Sequence, residues 1–217
     1  MTPAASQSHG WNAVVGAPTR LLLLRHGQTA LSVERRYSGR GNPELTELGR
    51  MQARAGADLI LARGEEIAAI ISSPLQRARE TAATLSGLTG LPVRVDDGFI
   101  ETDFGQWEGL TFGEAAKQFP DEHRAWLNDA TVAPPGGESF ATVAERVGAA
   151  RDRLIAAYPG QAVVVVSHVT PIKETLRAAL AVGPELLYRL HLDLASLSIA
   201  EFYPDGGSSV RLVNAVG

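Results

Sequence analysis

The sequence predicts an α/β fold, a three-layer α/β/α sandwich around a mixed, mostly parallel sheet. Three short apolar runs, at residues 21–24, 67–71 and 162–166, each end abruptly in polar residues. Such runs indicate strands that are buried on both faces, as in parallel sheets covered by helices. Helix-start signals follow the second and third runs. A strand, a polar turn and a helix in succession form the repeating unit of a parallel sheet.

The composition is that of one globular domain. Of the 217 residues, 45% are hydrophobic and 20% are charged, which is enough apolar content for a full core. Residues 1–18 are rich in Ala, Ser, Gly and Pro, and we expect them to be a flexible linker before a folded domain at residues 19–217. The opening segment lacks a signal-peptide pattern, and the apolar runs are far shorter than the ~20 residues that span a bilayer. We therefore expect a soluble, cytoplasmic protein.

The charge and cysteine counts exclude several classes of function. The net charge is −4, so the overall field favours neither nucleic acid nor an anionic membrane as a partner. The chain contains no cysteine, which excludes disulfides, thiolate nucleophiles and cysteine-based zinc sites. Catalysis must then use His, carboxylate, Ser, Thr or Lys side chains. Locally placed cations must hold any anionic substrate.

The first half of the chain predicts two strands and two helices. The strand at residues 21–24 ends at Arg25 and His26, and Thr46 is expected to cap the first long helix. The apolar stripe of that helix is expected to consist of Leu48, Met51, Ala55 and Leu59. The strand at residues 67–71 leads to Ser72 and Ser73. Ser73 before Pro74 predicts the start of a helix that ends near Leu85.

The second half predicts two more helices, a strand and a hairpin. Ser139 is expected to cap a helix whose apolar stripe is Phe140, Val143, Val147 and Leu154. The strand at residues 162–166 leads to His168, and Thr170 before Pro171 predicts a helix that ends near Leu180. The tail predicts a hairpin of residues 195–203 and 208–213 around a Pro-Asp-Gly-Gly turn.

The polar residues after the predicted strands indicate a phosphate site. Ligands of open α/β sheets bind beyond the carboxyl ends of the strands. We expect that edge to carry Arg25, His26, Ser72, Ser73 and His168. Arg77 follows in the first turn of the next helix, whose amino end itself favours an anion. Cations and imidazoles that meet at one edge suit a phosphate.

The chain resembles the histidine phosphatase superfamily, also called the phosphoglycerate mutase-like family. The resemblance covers about residues 20–203 and lies in six motifs that follow the family order: LLLLRHGQTA, SGRGNPELTELGRMQA, SSPLQRARETA, ETDFGQWEG, PPGGES and VVVVSHVTPIK. Within the family it resembles the alpha-ribazole phosphatase branch and, more closely, the phosphatase half of bifunctional ribonuclease H/acid phosphatase proteins. The chain could thus be fused to a ribonuclease H domain in a longer protein, or be an independent gene product.

The resemblance implies a role for each residue of the phosphate site. His26 would accept the phosphoryl group, Arg25, Arg77 and His168 would bind it, and Glu101 would donate a proton to the leaving group. The two arginines should lower the pKa of His26 by disfavouring a third positive charge. They should also neutralise the phosphoryl oxygens, so that neither a metal nor another cofactor is expected.

Several further positions are expected at the substrate site. Thr29 should offer a hydroxyl near the phosphate, and Gly27 is expected beside it. Ser32 and Val169 stand where the family commonly has asparagine and glycine, and they are expected at the phosphate and on the substrate-side wall. Glu108, in the same segment as Glu101, is a rival for the role of acid, and spacing alone does not separate the two.

The resemblance implies hydrolysis of small organic phosphates in two steps, with inorganic phosphate as the product. Alpha-ribazole phosphate is one expected substrate. A phosphoglycerate mutase and a catalytically silent phosphate-binding module are the alternatives. The aromatic residues Phe104, Trp107, Phe112, Phe119 and Trp126 predict either a lid at about residues 105–133 or ordinary core.

Overall fold

The computed structural model describes residues 16–217 and confirms the predicted α/β/α sandwich. Its strands are β1 (Thr19–Arg25), β2 (Ile67–Ser72), β3 (Val93–Val95), β4 (Ala162–Ser167), β5 (Leu197–Phe202) and β6 (Ser208–Ala215). They form one sheet in the order β3-β2-β4-β1-β5-β6. Strands β1 to β4 run parallel, while β5 pairs antiparallel with both β1 and β6. The linker prediction concerns mainly residues 1–15, which lie outside the described residues.

Helices cover both faces of the sheet. The α-helices of the described residues are α1 (Ala30–Val33), α2 (Glu47–Leu61), α3 (Gln76–Thr89), α4 (Phe112–Gln118), α5 (Pro120–Asn128), α6 (Phe140–Ala157), α7 (Val169–Leu180) and α8 (Leu186–Arg189). Leu21 and Leu23 of β1 pack in the cluster that contains residues of α6 and α7. Leu22 and Leu24 pack on the other face, with residues of α2 and α3. Burial on both faces explains why residues 21–24, the middle of β1, are all leucine.

Two predicted helix starts are wrong. Helix α3 begins at Gln76, not after Ser73, and ends at Thr89, where Gly90 adopts a left-handed conformation. Helix α7 begins directly after His168, and Thr170 lies inside its first turn. A proline in the first turn of a helix loses no hydrogen bond, so Pro171 did not mark the first residue. The caps at Thr46 and Ser139 are confirmed by their side-chain hydrogen bonds.

The predicted apolar stripe of α2 is also wrong. Leu48 is 48% exposed and Met51 is 63% exposed. The buried face consists of Gly49, Ala53, Gly56, Ala57 and Ile60. Small residues face the sheet because the helix lies close to it, and a Cβ atom on Gly56 would stand 2.9 Å from Leu24 Cδ1. The stripe of α6, in contrast, is buried as predicted.

The sheet order brings three chain segments together at one edge. Strand β4 lies between β1 and β2, with Arg25 paired to Ser167 and Ser72 paired to Val166. The backbone N–H of His26 donates to Ser167 O at 3.0 Å. One residue directly follows each of these three strands: His26 follows β1, Ser73 follows β2 and His168 follows β4. These three residues therefore meet at the carboxyl edge of the sheet.

Metal clusters and membrane-spanning helices are both absent from the described residues. Within residues 16–217, no group of three His, Asp or Glu side chains is placed to hold a metal ion. No helix in this part of the chain combines the length and apolarity needed to cross a membrane.

Candidate active site

His26 lies directly after β1 and is only 6% exposed. Its Nδ1 is 2.7 Å from the carbonyl oxygen of Gly27. Because a carbonyl can only accept, Nδ1 carries the proton, and Nε2 keeps its lone pair. Burial, with the charges of Arg77 and Arg25, holds the pKa of His26 well below its usual value. The imidazole is therefore neutral at physiological pH, as a nucleophile must be.

His168 lies beside His26, with 5.1 Å between the ring centroids. Its side chain is fully buried, and its Nε2 is 2.7 Å from Ser73 Oγ. Its Nδ1 has no hydrogen-bond partner among the described residues. Burial lowers the pKa of His168 as well, with contributions from Arg77, His26 and Arg25. The site thus contains two neutral imidazoles.

Arg77 and Arg25 place two guanidinium groups at this edge. The fully buried Arg77 donates from Nη1 to Gly41 O at 2.8 Å and from Nη2 to Ser38 O at 2.9 Å. Arg25 donates from Nη1 to Leu192 O at 2.6 Å, and burial lowers its pKa to about 10. Both remain charged at neutral pH. In the described chain the Nε–H of each arginine lacks a partner, which leaves a donor for an anionic ligand.

Glu101 and Glu108, which spacing did not separate, have different environments. Glu101 is 6% exposed, and its Oε1 accepts from the N–H of Thr102 at 2.8 Å. Burial lowers the pKa values of Arg25 and Arg77, and the negative charge of Glu101 opposes that effect, which places Glu101 in the same cluster. Glu108 uses both oxygens on backbone N–H groups, of Gly39 at 2.8 Å and of Gly41 at 3.1 Å. Glu108 thus fixes the segment whose carbonyls hold Arg77.

Arg146 of α6 was not identified from the sequence, yet it fixes the backbone before Glu101. Its Nη1 donates to Gly98 O and Ile100 O, and its Nη2 donates to Glu101 O at 3.2 Å. Glu138 orients the guanidinium through an ion pair of 2.8 Å. These partners are distant in sequence, and no local pattern identifies them.

The remaining predicted residues divide into two groups. Thr29 and Ser32 form a capping box at α1, in which Ser32 Oγ donates to Thr29 O at 2.8 Å. That bond uses the hydroxyl hydrogen of Ser32, and the predicted phosphate contacts of both residues stay predictions. Gly27 is packed against α2, where a Cβ atom on it would stand 2.2 Å from Gly49 O. Val169 follows His168 and lines a cavity beside Glu101.

That cavity has a volume of about 240 Å³ and borders Glu101 on one side. Its aromatic walls are formed by Tyr37, Phe104, Trp126, Phe140 and Tyr188. Lys173 also lines it and donates to Leu187 O at 2.6 Å, and burial lowers the pKa of this lysine. A larger cleft of about 970 Å³ touches Arg25 and Ser32 but does not include Glu101. Of these two cavities, the smaller one is therefore the one that borders Glu101.

The predicted aromatic lid is a small separate core that also forms cavity wall. Phe104, Trp107, Trp126 and Phe140 pack together, apart from the two clusters on the sheet faces. Trp107 and Trp126 meet edge to face at 5.4 Å between ring centroids. Phe112 is 53% exposed and lies outside this core. The cluster is thus core, which was one of the two predictions, and the lid stays a prediction.

A family model of the histidine phosphatase superfamily (branch 1) matches residues 21–215. The chain belongs to this superfamily. The family predicted from the six motifs is thereby confirmed, together with its enzyme class, histidine phosphatase.

Individual relatives of this histidine phosphatase are similar over most of its length. The bifunctional protein Rv2228c of Mycobacterium tuberculosis (strain ATCC 25618 / H37Rv) is 62% identical over 210 residues, which cover 97% of this chain and 57% of that protein. The chain thus spans less than two thirds of this relative. A solved mycobacterial glucosyl-3-phosphoglycerate phosphatase in complex with VO3 has a TM-score of 0.81 and 37% identity, covering 91% of this chain and 99% of that one. The alpha-ribazole phosphatase of Shigella flexneri has a TM-score of 0.79 and 27% identity, covering 92% and 98%.

Proposed function

We propose that the chain is a metal-independent phosphomonoesterase that hydrolyses small organic phosphates through a phosphohistidine on His26. One observation carries the proposal: His26 is held as a neutral imidazole with a free Nε2, beside two charged arginines with unused donors. A neutral nucleophile next to fixed cations is the arrangement that phosphoryl transfer to histidine requires.

In the first step His26 Nε2 attacks phosphorus, and the bond from phosphorus to the ester oxygen breaks. Arg25, Arg77 and His168 face the transferring group, whose charge is spread over its oxygens. The two guanidiniums supply the positive charge that the reaction needs, and metal independence is proposed on this ground.

Glu101 is proposed to transfer the protons. In the first step its carboxylic acid protonates the departing ester oxygen, since an alkoxide is a poor leaving group. In the second step the resulting carboxylate takes a proton from water as the water oxygen attacks phosphorus. The bond from phosphorus to Nε2 then breaks, and inorganic phosphate leaves. The proton that Glu101 gives to the leaving group in the first step is thus replaced by one from water in the second.

The cavity beside Glu101 bounds the leaving group. With about 240 Å³ and aromatic walls, it suits a small alcohol, and Lys173 adds one positive charge to its lining. Glucosyl-3-phosphoglycerate and alpha-ribazole phosphate, the substrates that the names of two solved relatives indicate, are proposed for a substrate screen with 3-phosphoglycerate. The compound that is hydrolysed with the highest kcat/KM would identify the class of substrate.

We further propose that the chain is one module of a longer, bifunctional protein. Its similarity to 57% of the bifunctional mycobacterial relative supports this idea. The sequence resemblance suggests a ribonuclease H domain as the other module. Native expression of a longer product, detected with an antibody to this domain, would test the proposal.

Trapping of the phosphoenzyme tests the nucleophile. Brief exposure of the wild-type chain to phosphate-labelled substrate should give an acid-labile, base-stable label at His26, and His26→Ala should lose both label and turnover. A label on serine or aspartate would contradict the assignment. Stable label that is handed only to phosphoglycerate would indicate a mutase, and phosphate binding without turnover would indicate a silent module.

Chelation tests metal independence. Because Arg25 and Arg77 supply the positive charge, exhaustive treatment with a chelator should leave the turnover rate essentially unchanged. Vanadate and inorganic phosphate should compete with substrate. Loss of activity that Mg²⁺, Mn²⁺ or Zn²⁺ restores would refute the proposed mechanism.

A further inference from the structure

The contact between Ser73 and His168 determines which nitrogen of His168 can face a phosphate. Both side chains are completely buried, and Ser73 Oγ lies 2.7 Å from His168 Nε2. On the other side of the ring, Nδ1 has no partner within residues 16–217. A buried donor or acceptor without a partner is rare, and it indicates a ligand that the protein is built to receive.

The hydrogens around Ser73 can be placed by elimination. Its Oγ has two contacts in the described structure, with His168 Nε2 and with the backbone N–H of Leu75 at 3.3 Å. The Leu75 N–H can only donate, so Ser73 Oγ accepts there. The single hydroxyl hydrogen of Ser73 then has one acceptor available, which is His168 Nε2.

The alternative arrangement leaves two groups unsatisfied. If His168 Nε2 carried the proton and donated to Ser73, the buried Ser73 hydroxyl hydrogen would have no acceptor, which is unfavourable for a buried donor. The lone pair of His168 Nδ1 would in addition point at the negatively charged oxygens of a bound phosphate. Both terms favour the tautomer in which Nδ1 carries the proton.

We propose that Ser73 is a positioning residue, which fixes His168 in the Nδ1–H tautomer so that this N–H donates to the transferring phosphoryl group. The inference rests on the proposed function, because it assumes a phosphoryl group between His26 and His168. His26 and His168 then share one tautomer, with the proton on Nδ1, but perform opposite tasks. The Gly27 carbonyl holds His26 with Nε2 free to attack, and Ser73 holds His168 with Nδ1–H free to donate.

Substitution at Ser73, with Ser72 as the matched control, tests the proposal. Ser72 is equally buried, but its Oγ donates to the carbonyl oxygen of Ser73 at 2.8 Å. Ser73→Ala should lower kcat/KM and weaken inhibition by vanadate by on the order of 10- to 100-fold, as other residues that orient a histidine ligand do. Ser72→Ala should change both by about twofold or less. Ser73→Cys, with a weak S–H donor, should fall between the wild type and Ser73→Ala.

¹⁵N NMR of ¹⁵N-labelled histidine reports the tautomer of His168 directly. A purely structural role of Ser73 would leave that tautomer unchanged. The His168 signals, assigned by their loss in His168→Asn, should show a protonated Nδ1 and a hydrogen-bonded, unprotonated Nε2 in the wild type. Ser73→Ala should shift the ring toward the Nε2–H tautomer, whereas Ser72→Ala should not. A wild-type His168 protonated at Nε2, or Ser73→Ala with unchanged tautomer and unchanged vanadate affinity, would overturn the inference.

These outcomes separate this inference from the proposed function. If the wild type lacks turnover or a phosphohistidine, the proposed function fails, while the tautomer remains measurable. If the wild type turns over and the Ser73 variants behave like Ser72→Ala, only the role of Ser73 fails. Should Ser73→Ala not fold, the wild-type spectrum and Ser73→Cys still decide the question.

Discussion

At the residue scale, two carboxylates of one segment are committed to different tasks by their hydrogen bonds. Glu108 accepts two backbone N–H groups and holds the segment that surrounds Arg77. Glu101 accepts one, and it borders the cavity in which a leaving group would lie. We therefore propose Glu101 as the carboxylate that transfers protons, and Glu108 as the one that holds the backbone around Arg77.

Glu101→Gln should slow alkyl phosphates far more than aryl phosphates. The glutamine keeps size and polarity but cannot give a carboxylic proton, so the loss for an alkyl phosphate should be on the order of 10² to 10⁴. Para-nitrophenol leaves readily as an anion and needs no acid. Rapid mixing with para-nitrophenyl phosphate should therefore show a burst of nitrophenol, followed by slow turnover as water attacks without its base.

Glu108→Gln is the control for this experiment. The amide can accept only one of the two backbone N–H groups, so residues 38–41 should loosen and Arg77 should lose part of its support. We expect weaker phosphate binding and a similar rise in KM for both substrates, without a burst. Selective slowing of the alkyl substrate by Glu108→Gln, with equal slowing by Glu101→Gln, would reverse the two assignments.

The predicted site residues and the missed ones differ in the range of their contacts. His26 and His168 could be predicted because each directly follows an apolar strand, and the edge of a parallel sheet brings such residues together. Ser73 was predicted at this edge too, but the helix start predicted there was wrong, because α3 begins at Gln76 and the Ser73 hydroxyl contacts His168. Arg146 donates to a backbone segment about 45 residues away, and no local sequence pattern indicates such a contact.

At the element scale, the approach of α2 to the turn after β1 depends on two glycines. A Cβ atom on Gly49 would stand 2.1 Å from Gln28 O, and one on Gly27 would stand 2.2 Å from Gly49 O. Backbone meets backbone here, so no side chain can move aside. The hydrophobic pattern favoured Leu48 and Met51 as the buried face of α2, because the pattern ranks residues by hydrophobicity alone. It carries no information on how close the helix backbone lies to the turn after β1.

Gly49→Ala should destabilise the fold, whereas Gly87→Ala should stabilise it. Both positions are helical, in α2 and α3, but a Cβ atom on Gly87 would meet nothing within 4 Å. Alanine should thus add up to ~1 kcal/mol of helix propensity at position 87. At position 49 the backbone must shift, and losses of several kcal/mol are expected, as for other overpacked sites. Urea unfolding of both variants would measure the difference, and a stabilised Gly49→Ala would show that α2 does not lie this close.

At the scale of the whole molecule, the site concentrates positive charge inside a protein of net charge −4. Arg25 and Arg77 lie beside two buried imidazoles, and the same charges that prepare a phosphate site oppose protonation of His26 and His168. We therefore expect the mutual repulsion of these charges to reduce stability, and a bound anion to offset it. Sites of this kind are expected to gain stability when phosphate or vanadate binds to the folded state alone.

Without such an anion, the free energy of unfolding should fall as the pH is lowered below about 6.5. The pKa of His168 lies well below its usual value in the folded protein, whereas in the unfolded chain it returns to about 6.5. Below that pH the unfolded state binds the proton and the folded state does not, so this histidine removes up to ~1.4 kcal/mol per pH unit. The loss begins near pH 6.5 and continues down to the folded pKa.

His168→Asn should reduce this pH dependence, because asparagine does not titrate, while the contribution of His26, whose pKa is also well below its usual value, should remain. His191, whose side chain is 79% exposed, provides the control, and His191→Asn should retain the wild-type slope. Urea unfolding between about pH 7.5 and pH 5.5, in a buffer free of phosphate, measures the slopes. A wild-type slope in His168→Asn would mean that this histidine takes up a proton in the folded protein, and that its neighbours do not keep it neutral.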